Sequence, residues 1–294
     1  MSAVESTIDV SGLGQPIRGP RALTDDWSRF WHLTYNIARN EFKLRFFGSV
    51  LGYLWQLMRP LLLFGVLYVF FVVVARVNGQ KGPGDAHYGV QLLGSIVLFT
   101  FFAEATGSAV RSVVERENLV RKIEFPRLVI PLAVVLLAMF NLGLNLLVVL
   151  VFALAEGVTP MLSWLELPVL IGFLAILATG VAMLLSALFV QFRDIQPIWE
   201  VVSQILFYAS PVIISIATVK SKISATWVHL YMLNPLATVL QQFRHAMVTH
   251  ATPSAGALLG SWAQLLEPVA LVAAIFAIGF WVFNRTAPDI AENL

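Results

Sequence analysis

Residues 167–219 read LPVLIGFLAILATGVAMLLSALFVQFRDIQPIWEVVSQILFYASPVIISIATV, and this stretch decides the fold. The runs 167–190 and 198–219 are each long enough to cross about 30 Å of hydrocarbon as a helix. Between them stands one pair of charges, Arg193-Asp194, and charge is costly inside a bilayer. The sequence therefore predicts two membrane spans joined by a turn outside the hydrocarbon.

The composition of the whole chain extends this interpretation. Of 294 residues, 58% are hydrophobic and only 12% are charged, and the mean hydropathy is +0.80. A single soluble core does not absorb so much apolar surface. The absence of cysteine excludes a disulfide framework, a thiolate nucleophile and a cysteine metal site. A net charge of +2 is too small to indicate a nucleic-acid partner.

Six spans are predicted in all, within a transmembrane domain covering 51–285. The other four lie at 57–77, 91–110, 128–155 and 265–283. Before them, 1–26 is predicted to be a disordered tail and 27–47 an amphipathic helix lying on the membrane surface. Its apolar face carries Trp27, Phe30, Trp31, Tyr35, Ala38 and Phe42. Residues 286–294 form a short tail.

Two connecting segments are unlike simple loops. Residues 111–127 are charged and closed by Pro126, which indicates a short helix. Residues 220–264 are too polar to span the membrane and too apolar for a free loop, which favours two half-helices broken at Asn234-Pro235 on the external side. Most of the 19 Lys and Arg residues fall on the side of the N-terminus, so both termini are predicted to be cytoplasmic.

Four blocks of sequence resemble the ABC-2-type permease subunits of polysaccharide exporters, the family of O-antigen, teichoic acid and mycobacterial galactan exporters. They are ARNEFKLRFFGSVLGYLWQLMRPLL (38–62), FFAEATGSAVRSVVERENLVRKIEFPRLVIPL (101–132), FRDIQPIWEVVSQILFYASPVII (192–214) and LNPLATVLQQFRHAM (233–247). The Ala- and Val-rich composition favours galactan among these cargoes.

The resemblance implies a homodimer in the bacterial plasma membrane, bound to two copies of a separate cytoplasmic ATPase and exporting a lipid-linked polysaccharide. No G-x-x-x-x-G-K-[ST] phosphate loop occurs in the chain, so ATP hydrolysis is expected in the partner. We expect no catalytic residue, metal or cofactor in this subunit.

The charged helix at 111–125 resembles the family's coupling helix, which contacts the ATPase. Side chains of both signs on it offer interfacial ion pairs. The alternative is a solvated loop. Arg193-Asp194 is either a second contact or a purely structural turn. The candidate coupling residues are Glu115, Arg116, Glu117, Arg121, Lys122, Arg193 and Asp194.

Ser210-Pro211 lies deep in the predicted fifth span, where proline removes a helical hydrogen bond and bends the chain. Such a bend suits a gate, and a passive kink is the alternative. Aromatic faces hold sugar rings without gripping any one of them, and packing or lipid contact is the alternative for each ring. The candidate channel aromatics are Phe64, Tyr68, Phe99, Phe101, Phe102, Trp199, Phe207 and Tyr208.

A polyprenyl-pyrophosphate carrier requires a basic site near the inner leaflet. Arg45 and Arg59 are the candidates, because arginine forks onto phosphate oxygens, although ordinary anionic lipids would bind there too. Glu104 is a carboxylate in the interior of a predicted span, and we expect a hydrogen-bonded role between helices before proton transfer.

Two other functions remain open. An ABC-2 permease for lipids or drugs is the first, and the aromatic-rich N-terminal helix favours polysaccharide over it. An intramembrane enzyme acting on lipid-linked sugars is the second. It would need paired carboxylates or a metal cluster at the membrane surface.

Overall fold

The computed structural model describes residues 27–46, 52–74, 87–117, 125–213, 216, 224–248 and 252–289. Every regular element in those ranges is helical, which confirms the predicted all-α class. The predicted tail at 1–26 and the last residues, 290–294, lie outside the described ranges, as do 118–124 and most of 214–223.

Ten α-helices lie within the described ranges. They are α1 (Trp27–Phe46), α2 (Gly52–Tyr68), α3 (Tyr88–Glu115), α4 (Val129–Ala155), α5 (Leu167–Gln191), α6 (Ile195–Ala209), α7 (Ala225–Met232), α8 (Pro235–Phe243), α9 (Ala255–Leu259) and α10 (Leu266–Thr286). A π-helical turn extends α2 over Val69–Val74, and another follows α8 over Arg244–Val248.

Five of these segments are long and apolar enough to cross a membrane: Leu54–Val72, Tyr88–Glu115, Val129–Ala155, Leu162–Gln191 and Ala263–Thr286. They match the first four predicted spans and the last one, so the chain is a multi-pass membrane protein. The predicted fifth span, 198–219, begins with α6. That helix has 15 residues and a length of about 22 Å, less than a bilayer core. Much of 210–219 lies outside the described residues, so the count of six stays a prediction.

Helices α3 and α5 form the centre of the subunit. Of the residues in the apolar, membrane-spanning part of each helix, 72% are buried in α3 and 67% in α5, against 11% in α2 and 17% in α10. Helix α3 packs against α2, α4, α5 and α6, and α5 packs against α10. The two central helices therefore position the remaining ones.

The crossing of α5 and α10 depends on two glycines. A Cβ added at Gly180 would lie 2.7 Å from the Cα of Phe276, and one added at Gly279 would fall on the carbonyl oxygen of Gly180. Small residues allow such close approach of backbones in membrane helices. Neither glycine tolerates a side chain without separating the helices.

Helix α1 packs on α4 through part of its predicted apolar face. Phe30, Thr34 and Ala38 are fully buried, while Trp27 and Trp31 keep about half of their surface exposed. The buried stripe has a spacing of four residues, which places it on one side of the helix. The helix ends at Phe46, close to the predicted end, and Trp27 and Trp31 remain exposed at its start.

The predicted break at Asn234-Pro235 lies between α7 and α8. Asn234 is extended, and its side-chain oxygen accepts a hydrogen bond of 3.0 Å from the backbone N–H of Leu236. Pro235 follows at the first helical position, where its missing N–H costs nothing. The two short helices are therefore separated by a normal N-cap.

Candidate functional site

A polar cluster lies among α1, α2, α3 and α4, and we call Arg45, Gln56, Glu104 and Asn141 the Glu104 cluster. Arg45 Nη1 donates to Glu104 Oε1 at 2.7 Å, and Asn141 Nδ2 donates to the same oxygen at 2.8 Å. Gln56 Nε2 donates to Glu104 Oε2 at 3.2 Å. One carboxylate thus joins four helices.

All three partners of Glu104 present donors to it. Asn145 Nδ2 in turn donates to the backbone carbonyl of Asn141 at 2.9 Å. The side-chain oxygen of Asn141 is buried and accepts from no residue that the structure describes, because its amide group points the N–H toward the carboxylate. The arrangement is therefore one built to hold an anion.

The two candidate carrier residues lie beside this cluster in different ways. The Arg45 side chain is 41% exposed although it is paired with Glu104. Arg59 is exposed on α2 and lies three residues after Gln56, so the two share a face of that helix. Within the described ranges, Arg59 has no hydrogen-bond partner, which leaves its guanidinium available to phosphate oxygens.

A second arginine–glutamate pair links α1 to the end of α3. Arg116 donates through Nη2 and through Nε, the latter at 3.0 Å, to Glu41 Oε1. Its Nη1 donates to the Ser112 carbonyl at 2.9 Å. The two side chains are only 18% and 29% exposed. One candidate coupling residue is thus held against α1.

The other candidate coupling residues of this segment follow from the end of α3 onward. Helix α3 continues to Glu115, five residues beyond the predicted end of the second span at Val110. The first part of the predicted coupling helix is therefore an extension of α3. Glu117 lies at the end of that described range, and Arg121 and Lys122 lie outside the described residues.

The chain turns at Arg193-Asp194, between α5 and α6, as the sequence predicts. Both residues are exposed. The guanidinium carbon of Arg193 lies 5.3 Å from the centre of the Phe189 ring, a cation–π distance. The Asp194 carboxylate does not cap α6, so it remains available to another molecule.

The start of α6 is also bonded to α3. Arg111 Nε donates to Gln196 Oε1, and Gln196 Nε2 donates to Glu200 Oε1 at 2.8 Å. Arg111 is four residues before Glu115 on α3, so the same helix end carries both this bond and the candidate coupling residues. Movement of that end would reach α6 directly.

Helix α6 ends at the predicted bend. Ser210 has an extended conformation, with φ −106° and ψ 154°, and Pro211 follows in a turn. Where a bend within a helix is predicted, the structure has a helix terminus. Beyond the end of α6, the backbone carbonyls of residues 211–213 need partners outside that helix.

Side chains from elsewhere in the fold satisfy these carbonyls. Arg244 Nη2 donates to the carbonyls of Pro211 and Val212, the latter at 3.0 Å, and Tyr88 Oη donates to that of Ile213 at 3.0 Å. Asn234 Nδ2 donates to Ser210 Oγ at 3.1 Å. The break is therefore held by the start of α3 and by both ends of α8.

Arg244 is almost fully buried, with 1% of its surface exposed. Burial raises the pKa of the nearby Tyr231 hydroxyl to about 12, and the positive charge of Arg244 opposes part of that rise. The hydroxyl therefore stays protonated at physiological pH. A charged residue with so little exposure needs carbonyl partners, and the α6 break provides them.

The candidate channel aromatics fall into two groups. Phe64 and Tyr68 of α2 lie 5.4 Å apart, ring centre to ring centre, and Phe64 meets Phe152 of α4 at the same distance. The other group is a row of rings from α3 and α6 in which each ring contacts the next, with 5.1 to 6.3 Å between ring centres. The row runs Trp199, Phe102, Phe99, Phe207 and Tyr208.

Exposure separates these rings further. Phe99, Phe101 and Phe102 are buried within the subunit, with 6%, 2% and 2% of their surface exposed, whereas Tyr208 is 68% exposed. Trp199 also donates through Nε1 to Thr106 Oγ1 at 3.2 Å, which fixes its ring. The α3 phenylalanines thus support the α6 rings from behind and do not reach a surface in this conformation.

One face of α6 is apolar and uncovered. Ile198, Val201, Ile205 and Tyr208 are 55%, 57%, 59% and 68% exposed. Their spacing of three, four and three residues follows one side of a helix, and we call these four residues the α6 stripe. It extends from the Arg193-Asp194 turn to the Ser210-Pro211 break.

Sequence reasoning missed several of these partners. Gln56 carried no signal, because a single polar residue near the start of a helix is ordinary, whereas the charge of Glu41 interrupts the apolar face of α1 and was a usable signal. The Asn141 and Asn145 pair in an otherwise apolar run was a usable signal, since polar side chains in a span face protein. Arg244, assigned to an external loop, had a signal in its block FRHAM, which lacks any other charge of fixed sign.

The chain matches a family model and named relatives over most of its length. The family model described as "ABC-2 type transporter" matches residues 32–248. The O-antigen export system permease protein RfbA of Klebsiella pneumoniae is 27% identical over 259 residues, which are 88% of this chain and 93% of that protein. The protein of the same name from Myxococcus xanthus is 26% identical over 266 residues, 89% and 95% of the two chains.

Proposed function

Because this chain belongs to the ABC-2 type transporter family, we propose that it is the permease subunit of an ATP-driven exporter of a polysaccharide. The cargo we propose is a glycan linked to a polyprenyl pyrophosphate, and specifically a cell-wall galactan. The subunit works as a homodimer in the bacterial plasma membrane, with both termini in the cytoplasm. The relatives named as O-antigen export permeases match it over nearly their whole length.

The α6 stripe is the observation that carries this proposal. It leaves an apolar face with a tyrosine at its far end uncovered in the single chain. Two such faces, one from each subunit, form the walls of a passage between them. Tyr208 offers a sugar both a ring face and a hydroxyl. Its ring packs on that of Phe207, 5.2 Å away between ring centres, and Phe207 packs on Phe99 at 5.1 Å. Phe64 and Tyr68 of α2 extend this surface.

Two cytoplasmic features couple the passage to the ATPase. The end of α3, with Glu115, Arg116 and Glu117, leads into the segment that carries Arg121 and Lys122 and enters a groove of the motor. The Arg193-Asp194 turn is the second contact. Since Arg111 of α3 bonds Gln196 of α6, movement at the motor reaches the α6 stripe and the Ser210-Pro211 break that closes it.

The carrier pyrophosphate binds at Arg45 and Arg59. Arg45 is partly exposed and its partner Glu104 also contacts Gln56, one turn from Arg59. Arginine forks match phosphate oxygens, and a pyrophosphate satisfies both guanidinium groups at once. Binding of ordinary anionic lipid by the same residues is the alternative, and a comparison of the carrier with phosphatidylglycerol distinguishes the two.

Depletion of this chain is the decisive experiment. Mass analysis of cytoplasmic lipid-linked glycans after depletion should show accumulation of the full-length cargo on its carrier, and expression of the wild-type chain should reverse it. A chain with Tyr208→Ala should reverse it poorly, and one with Leu162→Ala, which changes an exposed side chain outside the proposed passage, should reverse it fully. If depletion changes drug sensitivity or bulk lipid and no glycan accumulates, the permease exports a lipid or drug instead.

A further inference from the structure

We propose that Glu104 is an internal stand-in for the carrier pyrophosphate: it holds the Arg45 guanidinium in the unloaded subunit and releases it when a pyrophosphate-bearing lipid arrives. This inference rests on the proposed function, because it takes Arg45 as a carrier contact. Glu104 thus controls how tightly the carrier binds, because its carboxylate and the pyrophosphate compete for the Arg45 guanidinium.

The geometry of the Glu104 cluster supports this exchange. The Arg45 guanidinium is bound to Glu104 at 2.7 Å, yet 41% of the Arg45 side chain is exposed while Glu104 is only 19% exposed. An incoming anion therefore reaches Arg45 from the open side, whereas the carboxylate is shielded. Of the two partners, the arginine is the one that can leave.

The carboxylate remains bonded when Arg45 leaves. Asn141 still donates to its Oε1 at 2.8 Å and Gln56 to its Oε2 at 3.2 Å. Loss of a partner is costly mainly when a buried polar group is left without any. Because two amide donors stay in place, the exchange leaves no bare carboxylate.

The position along the helix fits a lipid headgroup. Glu104 is seven residues before Arg111 on α3, or about 10 Å of helix, and Arg111 is the next charged residue toward the helix end. Arg45 stands in the last turn of α1. A long arginine stem reaches back to the headgroup level when its partner is displaced, and a pyrophosphate there offers more negative charge than one carboxylate.

Binding isotherms of the full-length chain in phosphatidylcholine nanodiscs test the exchange, with undecaprenyl pyrophosphate as the probe. Glu104→Gln keeps the shape but removes the charge that competes for Arg45, so we expect it to bind the probe about fivefold more tightly, the upper range for a partly exposed ion pair. Glu166→Gln removes one exposed carboxylate elsewhere and should bind like the wild type. Unchanged or weaker binding by Glu104→Gln overturns the proposal.

Gln56→Leu gives an independent test with the opposite sign. It removes one donor from Glu104, so the carboxylate depends more on Arg45 and the probe should bind about twofold more weakly. Equal or tighter binding by this variant contradicts the exchange, and the test holds even if Glu104→Gln fails to fold.

Three further arms separate this inference from the proposed function. Arg45→Gln should bind the probe weakly, and the pair Arg45→Gln with Glu104→Gln should show no gain. If Arg45→Gln binds like the wild type, the carrier site itself is misplaced. If Glu104→Gln gains equally for phosphatidylglycerol, Arg45 is a general phosphate contact and the carrier assignment is wrong.

Discussion

Replacing Gly180 by alanine tests the crossing of α5 and α10 on which the bundle is built. The added Cβ would lie 2.7 Å from the Cα and 2.9 Å from the N of Phe276. Optimal carbon–carbon contact is about 3.5–4.0 Å, so the helices must separate by about 1 Å. Both close atoms belong to the backbone, which cannot turn aside as a side chain would. Overpacking of this kind costs about 1–3 kcal/mol.

Gly172 provides the matched control. It lies in the same helix, and a Cβ there meets nothing within 4 Å. Either change to alanine improves helix propensity by about 1 kcal/mol, so this gain cancels when the two variants are compared. The difference between them is then the overpacking cost alone, about 1–3 kcal/mol in favour of Gly172→Ala.

Unfolding by SDS in mixed micelles, followed by circular dichroism, measures this difference. Gly180→Ala should unfold at a clearly lower SDS fraction than the wild type, and Gly172→Ala at the same fraction or a higher one. Gly279→Ala should resemble Gly180→Ala, since its Cβ falls on the Gly180 carbonyl. Equal stability of the Gly180 and Gly172 variants would refute the close backbone contact.

Three other changes probe the polar contacts. Arg116→Glu should reduce the export per ATP hydrolysed, because it places a second carboxylate beside Glu41. Exchanging both residues (Glu41→Arg with Arg116→Glu) should restore most of the loss. If reconstituted vesicles show no recovery, the pair does not contribute to coupling. Arg244→Met leaves the carbonyls of Pro211 and Val212 without their donor, at about 1–3 kcal/mol each, so thermal unfolding should come earlier than for Arg285→Met, an exposed control; equal unfolding temperatures would contradict this role. Glu117→Lys should weaken co-purification with the ATPase relative to Glu156→Lys at the C-terminal end of α4, and identical recovery would count against the coupling assignment.

The sequence predicts well those features whose free-energy cost is set by one or two neighbouring residues. Charge in hydrocarbon places the turn at Arg193-Asp194, and proline places the breaks at Ser210-Pro211 and Asn234-Pro235. Each depends on one or two residues and on the membrane as solvent. The structure has the turn and both breaks at those positions, whatever the rest of the chain does.

The partners of these features depend on the whole fold and were not predictable. Arg45 and Glu104 are 59 residues apart in sequence, and Arg244 and Pro211 are 33 apart. Which face of a helix meets protein is also hidden, because lipid is as apolar as a leucine side chain. On α1, Phe30 and Ala38 of the predicted apolar face are buried against protein, whereas Trp27 and Trp31 of the same face stay exposed.

Helix α1 is attached differently along its two halves, and this bears on how it responds to a ligand. Up to Ala38 it is anchored by the burial of Phe30, Thr34 and Ala38. Its last turns are joined to α3 by two arginine–glutamate pairs. In one the acid is Glu41 of α1, and in the other it is Glu104 of α3. Close-packed surfaces do not slide by small steps, whereas a partly exposed ion pair can exchange partners at a cost of about 1 kcal/mol. The end of α1 that carries Arg45 therefore depends more on exchangeable ion pairs than its start does, and the same end holds Arg116 at the start of the proposed coupling segment.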